Sequence, residues 1–215
     1  EEGMNILGAH IDSPRIDVKQ NPLYEDTDLA YLDTHYYGGI KKYQWVAIPL
    51  ALHGVIVRKT GEKVIINIGE DENDPVFCIS DLLVHLAQEQ MTKNAKEVVE
   101  GEALNLIVGG RPLEGEEKDA VKANVLKLLA DKYGVEEEDF LSAELEIVPA
   151  GKARDMGFDR SMILAYGHDD RVCAYPSMMA VLDYEGTPEY TLCCIVTDKE
   201  EILSLIHISE PTRPY

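Results

Sequence analysis

A short, largely apolar run at residues 4–9 ends on His10-Ile11-Asp12, and two more, at residues 162–166 and 191–196, lead into Asp169-Asp170-Arg171 and Asp198-Lys199-Glu200-Glu201. Runs of this length and character read as buried strands of a largely parallel sheet covered by helices. In open α/β sheets, ligands gather at the carboxyl ends of the strands, where all three polar clusters would lie. Between the first cluster and the other two, at about residues 15–160, the chain takes on hairpin and α+β character. An α/β domain interrupted by an inserted second domain accounts for this better than one continuous sheet.

Within the intervening stretch, residues 24–37 are polar and aromatic and run to Gly38-Gly39, which reads as a long loop. Residues 45–52 and 55–58 read as strand segments. A turn at Thr60-Gly61-Glu62 then leads to residues 64–68, which suggests an antiparallel hairpin. Ser80 is placed to cap a helix with Leu82, Leu83 and Leu86 at helical spacing, and a strand is expected at residues 103–108. Residues 117–133 give the clearest helix, with Val121, Val125, Leu128 and Leu129 on one face and Gly134 just past its end. Residues 141–148 alternate apolar with polar and read as a half-exposed strand. A helix is expected at residues 172–182.

Composition excludes some functions. Forty acidic against twenty basic residues give a net charge of -20, which repels phosphate backbones, so no nucleic-acid partner is expected. The acidic runs 114–117 and 136–139 read as solvated faces. No apolar run is long enough to span a bilayer, and no basic segment followed by an apolar one marks a signal peptide. No membrane association and a cytoplasmic location are therefore expected. The chain opens on Glu1-Glu2-Gly3 without Met, so the start is expected upstream. Cys78, Cys173, Cys193 and Cys194 form no Cys-x-x-Cys pair and read as reduced packing residues.

Histidine and carboxylates together suit zinc or another divalent metal. In His10-x-Asp12 the carboxylate is placed to accept the second imidazole N–H, which would fix the tautomer. Each cluster has a plainer reading as well. A lone His after a strand is commonly a core or surface residue, Asp-Asp-Arg fits a helix N-cap with an exposed ion pair, and Glu-Glu fits a solvated pair. Their joint occurrence, each after a buried strand, points to a metal site.

Gly8-Ala9-His10-Ile11-Asp12-Ser13-Pro14 resembles the His-x-Asp-Ser-Pro motif of the aspartyl aminopeptidase family, which includes the vacuolar aminopeptidase I relatives. Tyr37-Gly38-Gly39 resembles its Tyr-Gly-Gly loop, and Asp139-Phe140 with Glu144-Leu145 its Asp-Phe…Glu-Leu stretch. Gly167-His168-Asp169-Asp170-Arg171 and Asp198-Lys199-Glu200-Glu201-Ile202 are similar to its bridging-ligand and Glu-Glu motifs. The resemblance runs from about Asn5 to Ile202. It implies a three-layer α/β zinc-aminopeptidase domain, formed by residues 1–14 and 161–202 and incomplete here, interrupted by an inserted α+β dimerisation domain at residues 15–160. It further implies a metallo-aminopeptidase that removes an acidic or neutral N-terminal residue from peptides, with two zinc ions per complete site and a homo-oligomer formed through the insertion.

The roles it implies are His10 as ligand of one zinc, Asp169 as bridge, Glu201 as ligand of the second zinc, Glu200 as general base and Asp12 as the residue orienting His10. It also implies a cis peptide at Asp169–Asp170. His35, His53 and His85 match no motif and read as structural or surface residues, and His168 as a neighbour of the site. After Ile202 the resemblance stops. Residues 203–215 look like the translation of a sequencing adapter, so an artefactual tail is expected and His207 is no candidate ligand. With three ligands for two metals, the chain alone is expected to be inactive. Two other readings compete: a tetrahedral-type zinc aminopeptidase of a related family, and a non-catalytic oligomerisation module.

Overall fold

The computed structural model describes residues 3–202, so the tail at 203–215 lies outside the described residues. In chain order the strands are β1 (Met4–His10), β2 (Arg15–Asp26), β3 (Leu29–Tyr37), β4 (Leu50–Val57), β5 (Lys63–Ile68), β6 (Leu106–Gly109), β7 (Ala143–Pro149), β8 (Arg154–Met156), β9 (Met162–Leu164) and β10 (Thr191–Thr197). Among the described residues two α-helices, α1 (Ala120–Tyr133) and α2 (His168–Leu182), complete a mixed α/β fold. The described residues form two compact units, one from 3–14 together with 153–202, the other from Arg15–Lys152.

Arg15–Lys152 is built on a six-stranded sheet in the order β5-β4-β7-β2-β3-β6. Ile16, Leu50, Ile56, Leu106 and Ile147 are fully buried in its core, with Val121 and Val125 of α1 in the same cluster. The stretch expected as a loop at residues 24–37 is instead half of a long hairpin. Thr27 and Asp28 both take left-handed φ and close β2 onto β3 with Asp26 opposite Leu29. Two consecutive residues of that conformation match the right-handed strand twist. Along β3 the side chains of Ala30, Leu32 and Thr34 alternate into the core, the period of two that a strand requires.

The hairpin expected around Thr60-Gly61-Glu62 is present as β4 and β5, which pair antiparallel from Leu52↔Ile68 to Val57↔Lys63. Its partner β7 comes so close at Gly54 (φ +139°) that a Cβ there would lie 1.9 Å from the Glu144 carbonyl oxygen. Helix α1 begins at Ala120, later than expected. The Glu25 carboxylate accepts the backbone N–H groups of Val121 and Lys122 at 2.9 and 2.8 Å, satisfying donors that no residue of the helix can. Gly134 ends the helix in the left-handed conformation, as expected.

No helix forms at Leu82, Leu83 and Leu86. Leu82 and Leu83 lie in irregular chain and Leu86 in a turn, 54, 61 and 69% exposed, because no core faces them and Asp81 takes the Leu82 N–H into a local contact. Residues 103–108 begin as a 3-10 turn, Gly101–Ala103, and become strand only at β6.

In the other unit β1 and β10 pair in parallel, in register from Met4↔Thr191 to His10↔Thr197, and α2 packs on both. The expectation of three buried parallel strands holds for the pairing of two. β9 joins β8 in a separate antiparallel pair, and the apolar side chains of β1, β9 and β10 are largely exposed among the described residues. No described helix is long and apolar enough to cross a membrane.

Candidate metal centre

Parallel pairing brings His10, the last residue of β1, beside Thr197, the last of β10. Lys199 adopts a left-handed φ, and the chain enters a 3-10 turn, Glu200–Ile202, that returns both glutamates toward His10. Ligand atoms of His10, Glu200 and Glu201 lie within 4.8 Å of one another. The third cluster arrives at the start of α2, where Asp169 and Asp170 depart from helical φ/ψ and are joined by a cis peptide bond. From there Asp169 Oδ1 reaches to 3.5 Å from His10 Nε2, and Glu200 Oε2 lies 3.7 Å from the same nitrogen.

The other ring nitrogen of His10 is held by Asp12 in two ways. Nδ1 lies 3.0 Å from the Asp12 carbonyl oxygen and 3.4 Å from Asp12 Oδ1. A proton on Nδ1 directed at either acceptor leaves the Nε2 lone pair facing the carboxylates. The Asp12 side chain is almost fully buried, and its Oδ2 accepts the backbone N–H of Glu201 at 3.2 Å. Sequence reasoning missed a role for Asp170, whose Oδ2 accepts the His10 backbone N–H at 3.3 Å. Its adjacency to Asp169 was the available signal.

Electrostatics fit a divalent cation. Burial pushes the Glu201 carboxyl up from its ordinary range, and the like charges of Glu200, Asp12 and Asp169 add to the effect against the opposing pull of His10. Burial lowers the affinity of His10 for its proton, yet the Asp12 carbonyl and the charges of Glu200, Asp170 and Asp12 together hold its pKa above the ordinary value. Asp170 is held below the carboxylate range, chiefly by the Cys173 thiol and also by the His10 N–H. An imidazole ringed by mutually repelling carboxylates is a donor set that a zinc ion would satisfy.

Other described histidines have partners of their own. His168 Nε2 faces the Ile163 carbonyl at 3.3 Å, His53 pairs with Glu70 at 3.0 Å, and His35 stacks on Tyr36. All four cysteines are free, as expected, although Cys173 is exposed where a packing residue would be buried.

Comparison with known proteins places this geometry in context. The profile of Peptidase_M18, described as aminopeptidase I zinc metalloprotease (M18), matches residues 1–207. A probable M18 family aminopeptidase 1 of Clostridium acetobutylicum is 64% identical over 94% of this chain and 44% of its own length. The crystal structure of an M18-family aminopeptidase from Thermotoga maritima superposes with a TM-score of 0.87 at 53% identity, over 94% of this chain and 44% of that one. The mApe1 dodecamer of S. cerevisiae shares the fold at 19% identity and a TM-score of 0.62, over 94% of this chain and 44% of its own. The chain thus spans under half the length of the relatives it matches.

Proposed function

Since this chain belongs to the M18 family of aminopeptidase I zinc metalloproteases, we propose that it carries part of a dinuclear zinc centre for removing the N-terminal residue, acidic or neutral, from peptides. The observation that carries the reading is the convergence of His10, Glu200 and Glu201 ligand atoms within 4.8 Å, with Asp169 at 3.5 Å from His10. His10 would hold one zinc, Glu201 the second, and Asp169 both. When bound, zinc acidifies a water and polarises the peptide carbonyl.

The chain's own residues do the rest. Asp12 fixes the His10 tautomer. Glu200, which this reading assigns to neither metal, would take the proton from the attacking water and return it to the departing amine. Among the described residues this reading assigns three protein ligands to two metals, fewer than catalytic zinc sites use. This chain alone is therefore expected to turn over no substrate.

Residues 15–160, which include the compact unit Arg15–Lys152, would be an insertion into a three-layer catalytic domain and would carry the contacts of a homo-oligomer. The exposed run of Leu82, Leu83, Val84 and Leu86 supports that role. A cytoplasmic location belongs to the same proposal, and the net charge of -20 disfavours a nucleic-acid partner. The test is a chimaera in which the remaining sequence of a longer relative is joined after Ile202. It should release N-terminal residues from peptides in a chelator-sensitive way, whereas hydrolysis that survives chelation would overturn the reading.

A further inference from the structure

Ser13 lies next to the buried Asp12 and is itself buried, 5% exposed, although it carries a hydroxyl. Its Oγ donates to the Asp169 carbonyl at 3.0 Å and accepts from Arg171 Nη1 at 3.2 Å. The same Arg171 nitrogen donates to the Gly167 carbonyl at 3.1 Å, so the guanidinium spans the two sides of the Gly167–Asp169 turn. Gly167 has a φ of +81°, and a Cβ there would lie 2.2 Å from Arg171 Nη1. The turn is thus shaped around the guanidinium. Tyr166 adds a neighbouring tie, its hydroxyl donating to the Pro14 carbonyl at 2.7 Å.

The Asp169 side chain, by contrast, is 87% exposed, so packing does little to fix its carboxylate. Contacts to the adjoining chain, rather than packing of the side chain, place that carboxylate near His10, among them the Ser13 bond to the Asp169 carbonyl and the His10 N–H bond to Asp170 Oδ2. Asp12 does the corresponding work at the other side by accepting the Glu201 N–H.

We propose that Ser13 and Arg171 are positioning residues of the metal centre: the Arg171–Ser13–Asp169 hydrogen-bond chain sets the Asp169 carboxylate at the distance from His10 that a shared cation requires. The inference rests on the metal-centre reading above. A hydroxyl is needed at Ser13 because it must donate to one partner while accepting from the other, which an alanine cannot do and a threonine can. Partners that orient metal ligands typically change metal affinity by about 10- to 100-fold when removed.

The experiment measures zinc affinity of the whole 215-residue chain by competition with a chromophoric chelator, for wild type, Ser13→Ala, Ser13→Thr and Arg171→Met. Thermal midpoints of the metal-free proteins are recorded beside it. The proposal expects about 10-fold or greater weakening in Ser13→Ala and Arg171→Met, recovery in Ser13→Thr, and metal-free midpoints that do not follow the affinities. Unchanged affinity in Ser13→Ala and Arg171→Met overturns the positioning role alone, and so does a loss that follows the metal-free midpoint in every variant. Wild-type protein that takes up no zinc overturns the metal-centre reading and this proposal with it.

Discussion

The backbone N–H of Glu201 donates to Asp12 Oδ2 at 3.2 Å, across the paired ends of β1 and β10. One buried carboxylate therefore serves two loops, since its other oxygen lies 3.4 Å from His10 Nδ1. Asp12→Ala should weaken zinc binding by about 10- to 100-fold, and should also free the Glu200–Ile202 turn. Asp12→Asn keeps an acceptor for the Glu201 N–H and should fall between the two. Zinc titrations of the three proteins check this, and equal affinities would remove Asp12 from the centre.

Adjacent glutamates are expected to differ in kind. In the chimaera completed with a longer relative's sequence, Glu200→Gln should retain zinc and lose most turnover, by about 100-fold or more for a lost general base. Glu201→Gln should lose zinc as well. Metal analysis beside kcat/KM separates the two, and equal zinc loss would contradict the division of roles.

The pH dependence follows from two raised pKa values. His10 titrates above its ordinary 6.5 and Glu201 above 4.5 in the metal-free fold. Both therefore bind protons more tightly folded than unfolded. The stability they contribute is fully present below those ordinary values and is lost as pH rises through the higher folded ones. Zinc requires the deprotonated forms, so its effect runs the other way. Between pH 5 and 8 the metal-free thermal midpoint should fall, apart from contributions of other groups, while the increment given by zinc grows. A zinc increment that shrinks with rising pH would contradict these assignments.

In Arg15–Lys152 the tightest backbone approach predicts the largest single-residue effect. Gly54→Ala puts a methyl 1.9 Å from the Glu144 carbonyl oxygen and forces a residue with φ of +139° to carry a side chain. Separation of β4 from β7 should cost roughly 2–4 kcal/mol, the range of severe overpacking and backbone strain. Chemical denaturation measures it, and a loss under about 0.5 kcal/mol, the scale of a neutral surface substitution, would contradict the packing described.

How much of this could be read in advance varied with the kind of signal. That β1 and β10 are parallel strands was legible because each is a short apolar run that delivers polar residues at its end, but the same signal at residues 162–166 misled, since β9 pairs antiparallel with β8. The β2–β3 hairpin was not legible, because Thr27-Asp28 lacks the Asn-Gly or Asp-Gly signature and Thr34 counts as polar although it is buried. Leu82, Leu83 and Leu86 misled in the opposite sense: helical spacing builds a helix only where a core faces it, and here none does. Around His10 the acidic clusters stood out as residue types at strand ends. The contacts of Asp12 with the Glu201 N–H and of Ser13 with the Asp169 carbonyl left no such trace, because each joins a side chain to backbone more than 150 positions away.

The central claim is that His10 and the carboxylates around it bind zinc. X-ray absorption at the zinc edge of the zinc-loaded chain tests it most directly. The account predicts an imidazole nitrogen at about 2.0–2.1 Å with oxygen donors at about 2.0–2.2 Å, and loss of the imidazole signature in His10→Ala. Sulfur scattering at about 2.3 Å, or an imidazole signal that persists in His10→Ala, would place the metal elsewhere and contradict the account.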